Sequence, residues 1–219
     1  MRRREFIVLP AASIAGVLLH TGARKLEGQT KSGEIKVPLR FFTAAEARVA
    51  QAAAERIFPS DASGPGATEA GVVIFIDRQL AGPYGKDKYR YTKPPFVESV
   101  PEHGYQGKES PREIYRAGIA GLGNFAELKP AEQDQRLHAI QTTTFFRLLR
   151  QHTLEGMFSD PMHGGNSGMV GWQLIGYPGP LMSYRDQIDK NYGEEFRRKP
   201  ASLAQVTGRA VTGWEEEKD

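Results

Sequence analysis

The 219-residue chain contains no cysteine and only five histidines. Iron–sulfur clusters and covalently attached haem are held by cysteine, and structural zinc is held by cysteine and histidine. The composition therefore argues against all three groups in this chain. Without cysteine the chain also forms no disulfide bond and carries no lipid anchor on cysteine, so its stability must come from packing and from partners.

Long apolar runs and strand-like alternation are also missing. The longest apolar stretch, residues 6–19, is interrupted by Pro10 and Gly16 and is shorter than the roughly 20 residues that a membrane-spanning helix needs. No segment alternates apolar and polar residues over a useful length, which is the pattern typical of a half-buried strand. The sequence therefore predicts a mostly α-helical protein.

The first residues match a twin-arginine export signal. Arg3 and Arg4 are followed after one residue by Phe6 and then by a mildly apolar stretch, as in signals that route folded proteins out of the bacterial cytoplasm. Small residues precede Arg24, so we expect a signal peptide over residues 1–23 and a periplasmic protein. An N-terminal amphipathic or anchoring helix is the alternative interpretation.

The basic character of the chain belongs largely to this signal. The full sequence has a formal net charge of +3 at pH 7, and residues 1–23 contain three arginines and one glutamate, so their removal leaves +1. A net charge this small gives no reason to expect nucleic-acid binding.

The remainder is predicted to form a single helical domain with long irregular loops. We expect a polar linker over residues 24–38, the helical domain over residues 39–193, and a charged, mobile tail over residues 194–219. Thr43 with Glu46 and Ser110 with Glu113 form capping-box patterns at two helix starts. The predicted helices run from Thr43 to before Pro59, from Thr68 or Glu69 to Leu80, from Ser110, from Lys129-Pro130, and over residues 142–158, the last one continuing or following the fourth.

A long irregular region over residues 86–109 separates the second and third predicted helices. It carries four aromatic residues, Tyr89, Tyr91, Phe96 and Tyr105. Loops of this length in compact domains usually have a function or cover a partner surface. The aromatic content argues against a disordered insertion, so we predict a docked loop.

Residues 159–179 form a glycine-rich segment with six glycines. Glycine permits unusual backbone angles and close approach, which first suggests a phosphate-binding loop. The segment lacks the Gly-x-x-x-x-Gly-Lys-Ser/Thr pattern and follows a helix rather than a strand. The stretch from Gly165 to Met169 also lacks the last glycine of a serine nucleophile elbow. Neither site is favoured.

A metal site is the other candidate. His152 and Glu155 lie three residues apart and therefore on one face of a predicted helix, with Asp160 and His163 shortly after them. Imidazole and carboxylate groups at such spacing can bind a divalent ion. The alternative is that His152 and Glu155 form hydrogen bonds with the loop that follows their helix.

Several stretches resemble a known family. They are the opening at Phe41, Glu69–Val72, Phe75–Gly85, Thr153–Pro161 and residues 164–179. Over residues 38–180 the chain resembles the gluconate 2-dehydrogenase subunit 3 family, the small (gamma) subunit of membrane-associated flavoprotein dehydrogenases. The most specific part is the run from Gly164 to Gly179. One departure is His163, at a position where an aromatic residue is expected.

The resemblance implies partners. In that family the large subunit is an FAD-dependent dehydrogenase of the glucose–methanol–choline (GMC) type, and a multihaem cytochrome c subunit often accepts the electrons. The small subunit holds no cofactor, metal or catalytic residue of its own. It looks like an escort that supports maturation of the flavoprotein and its export through the twin-arginine translocase. The resemblance thus implies a periplasmic complex, held at the membrane through its partners.

Six residues of the glycine-rich segment are expected to be structural or to contact the partner: Gly164, Gly165, Asn166, Gly171, Trp172 and Tyr177. Two alternatives stay open. One is an independent periplasmic metal-dependent enzyme that uses His152, Glu155 and His163. The other is a solitary binding protein.

Overall fold

A computed structural model describes residue 35, residues 37–96, 100–181 and 198–208, and five single residues between 183 and 193. Within these residues the fold is built from α-helices joined by turns, with no strand, so the predicted mostly α-helical class is confirmed. The helices are α1 Ala44–Ile57, α2 Val72–Ala81, α3 Pro111–Leu122, α4 Pro130–Ala139, α5 Thr144–Phe158, α6 Val170–Ile175 and α7 Leu203–Thr207.

Helix α1 begins and ends where the sequence predicts. The Thr43 hydroxyl accepts the Glu46 N–H at 3.3 Å, and the Glu46 carboxylate accepts the Thr43 N–H at 2.8 Å, so both halves of the capping box form. The helix ends shortly before Pro59. Its buried face consists mainly of alanine, and such small side chains let neighbouring helices approach closely.

Helix α2 begins at Val72, later than the predicted start at Thr68 or Glu69. Residues 67–71 form a turn instead, because Gly71 adopts a left-handed backbone conformation with a φ of 68°. The Glu69 carboxylate accepts the Gly66 N–H, as an acid at the start of a helix does. Local sequence therefore could not distinguish this turn from a first helical turn.

Helix α2 lies at the centre of the described fold. It packs against α1 and α5, and α5 in turn packs against α3. A helix whose surface is apolar nearly all round belongs in a core. Its buried apolar residues are Val72, Val73, Phe75, Ile76 and Leu80.

Asp77 is the buried exception on α2. Its side chain is fully buried, and its carboxylate accepts the backbone N–H groups of Arg40, Phe41 and Phe42 at 2.8–2.9 Å. The Arg78 guanidinium lies 3.5 Å from the same carboxylate. These donors compensate the burial of a charge, and they fasten the chain that enters α1 to the middle of α2.

Helices α3 and α4 begin at their predicted starts, and α5 begins at Thr144, two residues after its predicted start. Ser110 and Glu113 form the second capping box, and α4 begins at Pro130. Residues 140–143 turn between α4 and α5, so α5 follows α4 and does not continue it.

The loop over residues 86–109 is docked only in part. Tyr105 packs against the core, as predicted. Tyr89 and Tyr91 are 78 % and 77 % exposed, and Phe96 is also exposed. The prediction of a docked loop is wrong for these three rings, because nothing in the local sequence marks whether an aromatic side chain faces its own core or the outside.

Part of the segment predicted as a mobile tail forms α7. The Leu203 N–H donates to the Asp160 carboxylate at 2.8 Å, and the Ala201 N–H donates to the Pro178 carbonyl at 3.2 Å. Residues 201–203 are therefore hydrogen-bonded to the glycine-rich segment.

The predicted signal residues Arg3, Arg4 and Phe6 lie outside the described residues, as do residues 24–34 of the predicted linker. In the part of the chain that the structure covers, no helix combines the length and the apolar character needed to cross a bilayer.

Candidate functional site

The glycine-rich segment folds into two 3-10 helices, Pro161–His163 and Ser167–Met169, followed by α6. Gly164 and Asn166, between these turns, have left-handed backbone conformations with φ of 96° and 46°. The segment folds back so that α6 packs against α5.

Asn166 joins the end of α5 to the start of α6. It is fully buried. Its Nδ2 donates to the Ser159 carbonyl at 2.9 Å, and its Oδ1 accepts the Gly171 N–H at 2.8 Å. Its backbone N–H donates to the Gly156 carbonyl at 2.7 Å. Three backbone groups that would otherwise lack a partner in the interior are thus satisfied by one residue.

Gly165 and Gly171 lie where two backbone segments touch, and both are buried. A Cβ atom at Gly165 would overlap with the Gly156 carbonyl, and a Cβ atom at Gly171 would overlap with the Met157 carbonyl. Rotation of a side chain cannot move its Cβ, so only glycine allows these contacts of the glycine-rich segment with α5.

Trp172 faces inwards, whereas Tyr177 faces outwards. The Trp172 side chain is 3 % exposed, and its indole N–H donates to the Phe158 carbonyl at 2.7 Å. Tyr177 is 40 % exposed and packs edge-on against the Trp172 ring, with 5.1 Å between the centroids. Trp172 is therefore placed as a structural residue, and Tyr177 remains accessible.

The backbone N–H groups of this segment bond within the protein. Those of Gly164, Asn166, Ser167, Met169 and Gly171 all donate to nearby oxygen atoms of the chain. A phosphate cradle needs several such groups directed at the anion. The geometry of these five groups therefore argues against phosphate binding.

A second cluster is formed by His152 and two tyrosines. His152 of α5 is 1 % exposed. The Tyr84 hydroxyl lies 2.9 Å from its Nε2, and the Tyr115 hydroxyl lies 2.9 Å from its Nδ1. The Tyr115 and His152 rings stack nearly parallel, with 5.6 Å between the centroids.

The donors and acceptors of this cluster assign the histidine tautomer. Tyr115 is fully buried, so its O–H needs an acceptor in the protein, and Nδ1 of His152 is in position. Nε2 then carries the proton and donates to the hydroxyl of Tyr84, which is 39 % exposed and can donate its own proton to water.

Burial disfavours the charged form of all three rings. It lowers the pKa of His152 to about 4, against a smaller opposing effect of the Glu155 carboxylate. It raises the pKa of Tyr84 to about 12, with a further contribution from nearby carboxylates. It raises the pKa of Tyr115 well above the usual value. Each shift reflects the cost of charging a group away from water.

The hypothesis of a metal site does not fit these contacts. Within the described residues, no group of three or more histidine, aspartate or glutamate side chains is arranged to hold a metal ion. Both ring nitrogens of His152 face tyrosine hydroxyls, and Glu155 is exposed and accepts the Gln151 amide at 2.7 Å. The alternative, in which His152 and Glu155 bond to the following loop, is also wrong for their side chains.

Glu155 and His163 instead border an open surface groove of about 450 Å³. The Ser159 hydroxyl, which belongs to the same lining, is buried and has no hydrogen-bond partner among the described residues. The other residues of the lining are Phe75, Gln79 and Phe158.

Comparison with protein families gives a match that includes both the glycine-rich segment and the cluster of His152 with its two tyrosines. Residues 44–179 match the sequence model of a family described as gluconate 2-dehydrogenase subunit 3. This match covers more than half of the chain and runs from the start of α1 through the glycine-rich segment. The chain belongs to the gluconate 2-dehydrogenase subunit 3 family. No curated protein and no solved structure matches it.

Membership of the gluconate 2-dehydrogenase subunit 3 family points to an accessory subunit of a dehydrogenase, because the family is named for a subunit of that enzyme. The resemblance found in the sequence is thereby confirmed. Within the family segment, four of the six expected residues are buried: Gly165, Asn166, Gly171 and Trp172.

Asp77, Tyr84 and Tyr115 are three functional candidates that the sequence did not predict. Asp77 had a detectable signal, since it follows five apolar residues at the start of α2, and an acid in such a run is buried at high cost unless it has partners. The two tyrosines had none, because they lie 68 and 37 residues from His152 along the chain. Only the tertiary fold brings them to the imidazole.

Proposed function

We propose that this chain is the non-catalytic small subunit of a periplasmic FAD-dependent dehydrogenase that oxidises a sugar or an alcohol. In this proposal the FAD is bound by a GMC-type large subunit, and a multihaem cytochrome c subunit accepts the electrons. The complex lies at the membrane through these partners. The observation that carries the proposal is the family match over residues 44–179.

The role of the subunit is to support maturation and export of the flavoprotein. The twin-arginine pattern at Arg3 and Arg4 is of the kind that routes proteins that are already folded. Such a signal on a chain poor in cofactor ligands is explained if its partner holds the cofactor and crosses the membrane together with it. A surface that binds the folded flavoprotein and not its unfolded chain also stabilises that fold by mass action.

The contacts of the buried polar groups agree with the proposal that catalysis takes place in the partner and not in this chain. His152 is neutral and hydrogen-bonded at both nitrogens, and both polar atoms of the Asn166 side chain are hydrogen-bonded to the backbone. These groups are engaged in the fold and are not directed at a substrate. Specificity for the sugar or alcohol then resides in the flavoprotein, beside the cofactor that does the chemistry.

Cell fractionation of an export variant tests this function. In cells that carry Arg3→Lys/Arg4→Lys, we expect the flavoprotein and its dehydrogenase activity in the cytoplasm, because lysine keeps the charge but breaks the arginine pair. Arg2→Lys is the matched control, since it leaves the pair intact, and it should export the flavoprotein as the wild-type chain does. Normal export of the flavoprotein in cells that lack this chain would contradict the proposal.

A further inference from the structure

Exposed apolar side chains are concentrated in one loop. Nine large apolar side chains are exposed among the described residues, and the five that lie between residues 84 and 100 are Tyr84, Tyr89, Tyr91, Phe96 and Val100. Tyr89 and Tyr91 are the most exposed of the nine. Such a concentration typically marks an interaction surface. Residues 84–96 are called the aromatic loop below.

The base of the aromatic loop is fixed to the domain. The Gly85 N–H donates to the Gln79 carbonyl at 3.2 Å, and the Gly85 carbonyl accepts the Arg112 N–H at 3.3 Å. The Tyr84 hydroxyl bonds to the buried His152. The first residues of the loop are thus tied to α2, α3 and α5.

Arg90 braces the outer part of the aromatic loop. Its guanidinium donates to the Asp87 carboxylate and, at 2.6 Å, to the Gly107 carbonyl, and it lies 5.0 Å from the centroid of the Tyr105 ring. The two residues that flank Arg90 are the most exposed tyrosines. Tyrosine side chains on a backbone that is already held in place lose less conformational entropy on binding than those on a mobile backbone.

The aromatic loop is also basic. Lys86, Lys88 and Lys93 are exposed, and Arg90 is paired with Asp87. Four basic residues against one acidic residue give residues 84–96 a formal charge of +3. A surface complementary to this loop therefore carries carboxylates.

We propose that the aromatic loop docks on the flavin-containing dehydrogenase subunit, at apolar clefts that are bordered by carboxylates. Tyr89 and Tyr91 fill the clefts, and Lys86 and Lys93 face the acidic border. Tyrosine suits this role because its ring supplies a large contact area while its hydroxyl stays hydrogen-bonded, and tyrosine is enriched among residues that dominate binding energy. The inference rests on the proposed function and adds the surface through which the subunit binds.

An anionic membrane is a less suitable occupant of this surface. Segments that bind anionic lipids typically carry about 4–8 clustered lysines and arginines, whereas the aromatic loop exposes three lysines. The fixed backbone favours a partner of defined shape over a fluid surface.

Dilution of the purified complex tests the proposal. The complex is prepared with the wild-type chain, with Tyr89→Ser/Tyr91→Ser, and with Ile175→Ser, a control at a 58 % exposed apolar residue outside the loop. Native mass measurement gives the concentration at which half of the flavoprotein has dissociated. We expect this concentration to rise at least about 30-fold for the double variant, or assembly to be lost, and to stay at the wild-type value for Ile175→Ser.

Each other outcome has a distinct meaning. Because both tyrosine rings are largely exposed, the melting temperature of the isolated double variant should equal that of the wild-type chain, which separates loss of binding from loss of folding. A double variant that assembles as tightly as the wild type overturns the proposal and leaves the proposed function standing. If that variant instead loses only binding to phosphatidylglycerol vesicles, the surface binds lipid and the proposal is also overturned. A wild-type chain that holds no flavoprotein overturns the proposed function and this inference together.

Discussion

His152 is a buried histidine that the fold keeps uncharged. The Tyr84 and Tyr115 hydroxyls occupy its two nitrogens, and 1 % of its surface is exposed. The pKa of about 4 lies below the ordinary value of 6.5. The unfolded chain therefore takes up a proton at a higher pH than the folded chain does, and this difference links stability to pH.

We predict that this linkage is visible in the free energy of unfolding. The stability that depends on a neutral His152 is fully present above about pH 6.5. As the pH falls from about 6.5 to about 4, the free energy of unfolding decreases on this account by about 3 kcal/mol. His152→Gln keeps one donor and one acceptor for the tyrosines but does not titrate. Urea unfolding measured across this pH range should give a shallower decline for the variant than for the wild type. Equal slopes would show that His152 does not titrate differently in the two states.

Asp77 gives the second prediction at the scale of single residues. Asp77→Ala removes the acceptor of three backbone N–H groups, and we expect it to lower the free energy of unfolding by about 2–4 kcal/mol, because donors left in the interior lose their partner. Asp77→Asn keeps one acceptor oxygen and should cost less. Chemical denaturation of both variants checks the order, and an Ala variant as stable as the Asn variant would contradict it.

The roles of single residues were only partly predictable. The resemblance located the glycine-rich segment, but the sequence did not separate the buried Trp172 from the exposed Tyr177. Glycine and asparagine at Gly165 and Asn166 fit the close contact and the left-handed backbone found there. The partners of His152 could not be predicted, since they depend on how α3 and the loop after α2 pack against α5.

Helix boundaries were predicted well wherever the signal is local. The capping boxes at Thr43 and Ser110 involve residues three apart, so the sequence contains everything needed to place these starts. The start of α2 was missed because Gly71 turns the chain at a place where the local pattern also suits a helix. Helix α7 was missed because it is short, although Ser202 and Gln205 form a capping box there.

The contact between α5 and α6 gives a prediction at the scale of elements. Gly171→Ala would push a Cβ into the Met157 carbonyl, and we expect a loss of about 3 kcal/mol in stability, since backbone atoms must move apart. Gly121→Ala in α3 is the matched control, because nothing lies within 4 Å of its Cβ position. The control should be neutral or gain up to about 1 kcal/mol from the better helix propensity of alanine. Thermal unfolding of both variants measures the difference, and similar melting temperatures would refute the close contact.

For the molecule as a whole, the family match and the distribution of exposed apolar residues both indicate that the chain binds a partner. The match spans α1 to α6, and the buried side chains of Asp77, His152 and Asn166 within it form hydrogen bonds to the rest of the fold. The rings of Tyr89, Tyr91 and Phe96, by contrast, are exposed on the surface. Their exposure could not be predicted from the sequence, because it depends on which rings the rest of the fold covers.

The most direct measurement is purification of the tagged chain from the periplasm, followed by quantification of bound flavin and of each protein. We expect one large flavoprotein in near-equal molar amount to this chain, with the flavin in that partner. A monomer without flavin and without a partner would contradict the assignment as a dehydrogenase subunit.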